Sequence, residues 1–113
     1  MNGPIYEYRR YDIVPGKLAA IQSRFADHTL GFWKKHGIRC IGFWEAVVGE
    51  SNQLHYVLEW TDMAERQRVW DAYQGDPDWQ AARAETEKDG PLVQRVHNEF
   101  WRLTRFSPRP MSG

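Results

Sequence analysis

Six side chains in three short stretches carry the groups that acid/base chemistry needs. They are Glu7 and Arg9 in "YEYRRYDI", His55 and Glu59 in "QLHYVLEW", and His97 and Glu99 in "VQRVHNEFWRL". Within each pair the spacing is even, so in an extended strand, where successive side chains alternate, both members point the same way. On one common sheet face the six would set imidazoles, carboxylates and a guanidinium side by side, where burial and neighbouring charge shift proton affinities. Such a set can run general acid/base catalysis, with His28 or His55 as the base and Arg9 stabilising developing negative charge. It can equally bind an anion, or form an ion-pair network that titrates abnormally and does no chemistry.

Metal chemistry finds less support. No two of the four histidines are four residues apart, and His28 and His36, eight apart, would lie about 12 Å from each other along a helix. A site built from His55 and His97 with Glu59 or Glu99 would have to form across strands, and no motif asks for it. The lone Cys40 excludes an internal disulfide and a multi-cysteine zinc site, and in an apolar strand it reads as a packed thiol. No metal and no cofactor is expected.

The elements that position these groups can be read from periodicity. Residues 5–13 have strand propensity and run into Pro15-Gly16. From Leu18 the residues Leu18, Ile21, Phe25, His28, Phe32 and His36 form a helical stripe, with Lys17, Arg24, Asp27 and Lys34 opposite. Lys34, Lys35 and His36 suit the negative end of that helix, and Gly37 suits its left-handed cap. "IRCIGFWEAVVG" reads as a second strand, "GESN" as a turn and "QLHYVLEW" as a third strand, a hairpin. Asp62 with Glu65, and then Asp76 with Pro77, open two further helical pieces, in which Arg66 and Arg68 read as solvated surface. After Gly90-Pro91 comes a last strand, and residues 107–113 read as a flexible tail to a single domain of residues 1–106.

Strand, helix, strand, strand, helix, strand is the split βαβ order, an α+β ferredoxin-like βαββαβ arrangement with helices on one face of an antiparallel sheet. The uncovered sheet face predicts a homodimer paired through sheet faces, a dimeric α/β barrel. Ile13 shares the parity of Glu7, Arg9 and Tyr11 and should meet the first helix, which places the polar set beneath the helices. A pocket there would be closed by His28, Phe32, Trp33 and Trp70 and would suit a small apolar or aromatic ligand. Trp44 belongs to the interface or the core, since Phe43 and Trp44 must point to opposite faces.

Fifteen basic residues balance fifteen acidic ones, so no cationic footprint for nucleic acid exists. No apolar run reaches membrane-span length, and a cytoplasmic setting is expected. Six Trp, five Tyr and five Phe are more than one small core hides, which again points to an interface or a ligand.

The chain resembles the NIPSNAP family of the dimeric α/β-barrel superfamily. "YEYRRYDIVPGK" is similar to the family's opening strand and turn, "HGIRCIGFWEAVVGESNQLHYVLEW" to its central hairpin, "MAERQRVWDAYQGDPDWQA" to its helical segment and "GPLVQRVHNEFWRLTRFSP" to its closing strand. The resemblance implies a ferredoxin-like subunit and a homodimer. It implies no single chemistry, because superfamily relatives include cofactor-independent monooxygenases, dehydratases, haem-handling proteins and members without assigned activity. Two functions therefore stand side by side: a homodimeric small-molecule binder, or a small cofactor-independent oxygenase, isomerase or dehydratase. The enzyme would draw on Arg9, His28 and His55 as catalytic residues, and in either case Glu7, Tyr11, Phe32, Trp33, Glu59, Trp70, His97 and Glu99 would line the ligand site.

Overall fold

The computed structural model describes residues 3–110. Strand β1 (Ile5–Ile13) leads through Gly16, at φ +86°, into helix α1 (Leu18–Arg24). One wide π-helical turn (Phe25–Thr29) follows, and helix α2 (Leu30–His36) completes the rod. Gly37 caps it at φ +76°, a conformation that glycine adopts without a Cβ penalty. The wide turn takes one residue more than an α-turn. The buried positions therefore run Ile21, Phe25, Thr29 and Trp33, not through His28 and Phe32 as the stripe predicted. Arg24, expected on the outer side, is buried at 7% exposure. It lies three residues after Ile21, on the inward side, before the wide turn shifts the phase.

Strand β2 (Arg39–Trp44) is shorter than predicted, and residues 45–52 form the hairpin loop, with Val47 and Val48 fully exposed. The predicted turn began too late because β propensity in "EAVV" has no partner strand to pair with. Strand β3 (Gln53–Trp60) alternates half-buried and buried residues along its whole length. Asp62 caps helix α3 (Met63–Gln74) by accepting from the Glu65 amide at 2.8 Å, while Glu65 reaches back to the Thr61 amide. Asp76 caps helix α4 (Pro77–Thr86), with Pro77 in the first turn. The same carboxylate accepts from Lys35 and His36, both at 2.8 Å, and so ties α4 to the end of α2. Strand β4 (Val93–Arg102) closes the sheet. The tail expected at 107–113 extends beyond the described residues; Ser107–Pro110 have no regular secondary structure.

The sheet is antiparallel throughout in the order β2-β3-β1-β4, the ferredoxin-like arrangement, with β1 central. The core lies between sheet and helices, where Ile13, Tyr56, Leu58 and Trp60 of the sheet form one cluster with Ile21, Trp33, Trp70 and Tyr73 of the helices. The molecule is 21 Å thick in its shortest dimension, which is room for two layers, so the second face of the sheet carries no helices.

The register decides which side chains share a face. Every β1 pairing joins an odd-numbered residue to an even-numbered one across most of the strand: Glu7 lies opposite Leu58 and Phe100, Arg9 opposite Tyr56 and Asn98, and Arg10 opposite His55 and His97. The expected six-residue face is therefore split. Glu7 and Arg9 lie under the helices, whereas His55, Glu59, His97 and Glu99 stand on the open face with Tyr6, Tyr8 and Arg10. Even spacing within a strand was sound, but parity carries no information about the phase between strands.

Cys40 is half-buried on the helix side, with its thiol directed at the Gly42 carbonyl at 3.5 Å. Burial pushes that thiol up to about 11, against weaker opposing hydrogen bonds from the backbone. Almost none of it is thiolate at neutral pH, so alkylation by iodoacetamide at pH 7.5 is expected to be slow in the native protein and fast in 6 M urea. A stopped-time mass-spectrometric assay checks this, and equal native and denatured rates would contradict it.

Candidate functional site

Glu7 is wholly buried beneath the helices, yet every direction around its carboxylate is met by a donor. Arg9 Nη1 donates at 2.9 Å, Arg66 Nε and Nη2 at 3.1 and 3.0 Å, Trp60 Nε1 at 3.1 Å and Asn98 Nδ2 at 2.9 Å. Burial by itself would raise this carboxyl, but hydrogen bonds from Arg66 and Asn98 and the charge of Arg9 hold it below the ordinary carboxylate range. Glu7 is thus an ion-pair hub with no lone pair left for a substrate proton. Arg66, expected as solvated surface, belongs to this hub; from α3 its side chain reaches inward to Glu7.

Arg9 forms the next layer. Its Nε donates to Tyr56 Oη at 2.7 Å, Tyr56 donates onward to Tyr11 Oη at 2.9 Å, and the guanidinium lies over the Trp70 ring at 4.5 Å. Burial would lower the Arg9 affinity for its proton, but surrounding tyrosine oxygens and Glu7 raise it further, so Arg9 is cationic at every accessible pH. Tyr56 is buried and held well above the ordinary phenol range, first by burial and then by Tyr11, and stays neutral.

Arg9 and Tyr11 face a cleft of about 190 Å³ between sheet and helices. Arg24 from α1, Tyr73 and Gln74 from α3, Trp79 and Arg83 from α4, Glu87 just past α4 and Val93 and Val96 from β4 complete its walls. Burial raises the Tyr73 phenol, so it too is neutral. Its lining sets three guanidiniums, one carboxylate and the Gln74 amide beside the rings of Tyr11, Tyr73 and Trp79 and two valines.

On the open face Tyr8 stacks on Trp101 at 5.0 Å with nearly parallel rings, and on His55 at 5.9 Å, with a 2.8 Å hydrogen bond between Tyr8 Oη and His55 Nδ1. His97 meets Glu99 at 2.6 Å, and Trp101 Nε1 donates to the other Glu99 oxygen at 3.0 Å. His97 lies edge-on to Tyr8, so the face is a connected aromatic ladder with polar groups at its rim. Trp44 also stands on it, 51% exposed and folded over Gly42, where a Cβ would come within 3.0 Å of the indole.

The structure thus brings together Glu7, Arg9, Tyr11 and Trp70. Trp33 packs deeper in the core against Phe43 and Tyr56, whose hydroxyl contacts Arg9. Phe32 packs edge-on against Trp79 without itself lining the cleft, and His28 is half-buried on the wide turn and does not line it either. His55, Glu59, His97 and Glu99 are on the opposite side of the sheet. Sequence reasoning missed Arg24, Tyr73, Trp79, Arg83 and Glu87. The i, i+3 step from Ile21 marked Arg24 as inward, and a charged residue there was the available signal. Among the described residues no group of three or more His, Cys, Asp or Glu is placed to hold a metal ion, and no helix is long and apolar enough to cross a membrane.

A family profile described as NIPSNAP matches residues 6–108. Among solved structures, an uncharacterized NIPSNAP-like domain protein from Burkholderia xenovorans is 23% identical, over 99% of this chain and 95% of that one, with a TM-score of 0.85. A NIPSNAP family protein with unknown function from Agrobacterium tumefaciens is 22% identical, over 97% and 96%, with a TM-score of 0.84. SnoaB, a cofactor-independent oxygenase from Streptomyces nogalater, is 16% identical, over 95% and 99%, with a TM-score of 0.62. At these identities the likeness is one of fold. No curated protein matches the chain.

Proposed function

The chain belongs to the NIPSNAP family, and from that premise we propose that it works as a homodimeric small-molecule-binding protein. Two copies pair through the helix-free sheet faces, and the cleft between sheet and helices of each copy holds a small, partly apolar molecule. The observation that carries this reading is the cleft itself: buried Arg9 and Arg24 beside the aromatic rings of Tyr11, Tyr73 and Trp79, with no histidine among the described residues that line it. The open face supports the dimer, since half-exposed Trp44 and Trp101 with Tyr8 form the aromatic centre and polar rim typical of interfaces.

The rival reading, a cofactor-independent enzyme, needs a base beside Arg9. The register sets His55 on the other face, and the Glu7 carboxylate is saturated by donors. Binding without turnover is therefore the better-supported reading. A cytoplasmic setting belongs to the same proposal.

A native mass spectrum of the purified protein tests both halves. The expected result is a species of two chains, with a small-molecule adduct released by collisional activation. A monomer at micromolar concentration would remove the sheet pairing.

A further inference from the structure

The charges around the cleft do not balance. Glu7 is shared between Arg9 and Arg66, and Glu87 between Arg83, at 2.9 Å, and Arg24, at a long 3.5 Å. Four guanidiniums thus divide two carboxylates, in a region where a buried cation without full pairing is costly.

Arg24 bears the largest shortfall. It is 93% buried, as its 7% exposure gives, its Nε has no hydrogen-bond partner, and its one anionic neighbour already serves Arg83. Trp79, which packs beside Arg24 with its ring 5.9 Å from the guanidinium, also has a buried Nε1 without a partner. Both unpartnered donors belong to side chains that wall the same cleft. Buried polar groups in folded proteins are nearly always satisfied, and of the four buried side-chain orphans among the described residues these two wall one cleft.

We propose that this cleft is a binding site for a small carboxylate with a flat apolar body, its oxygens taken by Arg24, Trp79 and the free edge of Arg9 and its body held between Tyr73, Val93 and Val96. The inference rests on the reading of the helix-side cleft as the ligand site and adds the charge and class of the ligand. A single anionic group fits the chemistry, because the lining carries the guanidiniums of Arg9, Arg24 and Arg83 against the one carboxylate of Glu87. A volume of about 190 Å³, the bulk volume of roughly six waters, suits a molecule of benzoate size. Glu87 sits at the mouth, so binding moves its carboxylate toward Arg83, with which it already makes the shorter contact.

Isothermal titration of the full-length protein with benzoate, benzamide and inorganic phosphate tests the proposal, for wild type, Arg24→Leu and Arg24→Lys. Expected are saturable benzoate binding and at least a tenfold weaker response to benzamide. In Arg24→Leu benzoate affinity should fall by about tenfold or more, the loss of one charged hydrogen-bonding group. Arg24→Lys, which keeps the charge but not the fork, should lie between and remains informative if the leucine variant fails to fold. Benzamide binding as well as benzoate, or an Arg24 variant binding benzoate unchanged, would overturn the anion assignment and leave the pocket standing. Phosphate binding in place of benzoate would overturn the carboxylate assignment. No heat from either aromatic compound at about 20 mM, well above a weak-ligand Kd, would overturn the pocket as well.

Discussion

Glu7→Ala is expected to destabilise the protein by about 3–5 kcal/mol, the cost of removing one partner from a buried ion network. Two guanidiniums, an indole N–H and an amide lose their acceptor at once, and Arg9 and Arg66 are left facing each other across the gap. Against a total stability of about 5–15 kcal/mol for a domain, that is a large fraction. In urea the midpoint should fall by about 1–5 M with little change in slope, read at fixed protein concentration because the stability of the proposed dimer depends on it.

Glu7→Gln separates charge from shape. It keeps the side-chain volume and one acceptor oxygen but cancels the countercharge, so most of the loss should persist at pH 7. The pH dependence has a definite sign. Since the folded carboxyl is held below its unfolded value, its contribution is fully present above the ordinary carboxylate range and is lost as pH falls through the lowered folded value. The gap between wild type and Glu7→Gln should therefore be widest near neutrality and narrow in acid. A gap below about 1 kcal/mol at pH 7, the size of an exposed ion pair, would mean that the hub is not structural.

Trp101→Glu is expected to break the proposed sheet-to-sheet dimer without unfolding the subunit. Trp101 is 46% exposed on the helix-free face and stacks on Tyr8 at the centre of the sheet. An aromatic anchor in an interface contributes about 2–4 kcal/mol, so the dissociation constant should rise by about 30- to 900-fold. The new carboxylate beside Glu99 adds like-charge repulsion between facing sheets. Size-exclusion chromatography with light scattering across a dilution series reads the shift, and far-UV circular dichroism should be unchanged because the residue faces away from the core. An unaltered dimer would place the interface elsewhere, for instance on the helix side of β4, where Val96 and Phe100 are also half-exposed.

Much of the fold was legible because its signals are local. The alternation of Leu54, Tyr56, Leu58 and Trp60 marks β3 and its buried side, Gly37 marks the end of α2, and Asp76-Pro77 marks the start of α4. Each depends on backbone conformation and on neighbours within a few residues. The pairing of Glu7 with Arg9 was legible for the same reason, being an i, i+2 relation inside one strand.

What lay beyond the sequence was every relation of phase between elements. Whether Glu7 shares a face with His55 or with Tyr56 depends on a one-residue shift in the pairing of β1 with β3, and nothing inside either strand records it. The wide turn at Phe25–Thr29 likewise moved burial from His28 to Thr29 and from Phe32 to Trp33, a choice made by packing on the sheet rather than by helix propensity. By itself, then, the sequence determined the elements, their order and the inward parity of Glu7, Arg9 and Tyr11. Only the tertiary structure decided that Arg24, Arg66 and Trp79 join them while the histidines do not, because register and helix phase are set by long-range contacts that no local pattern encodes.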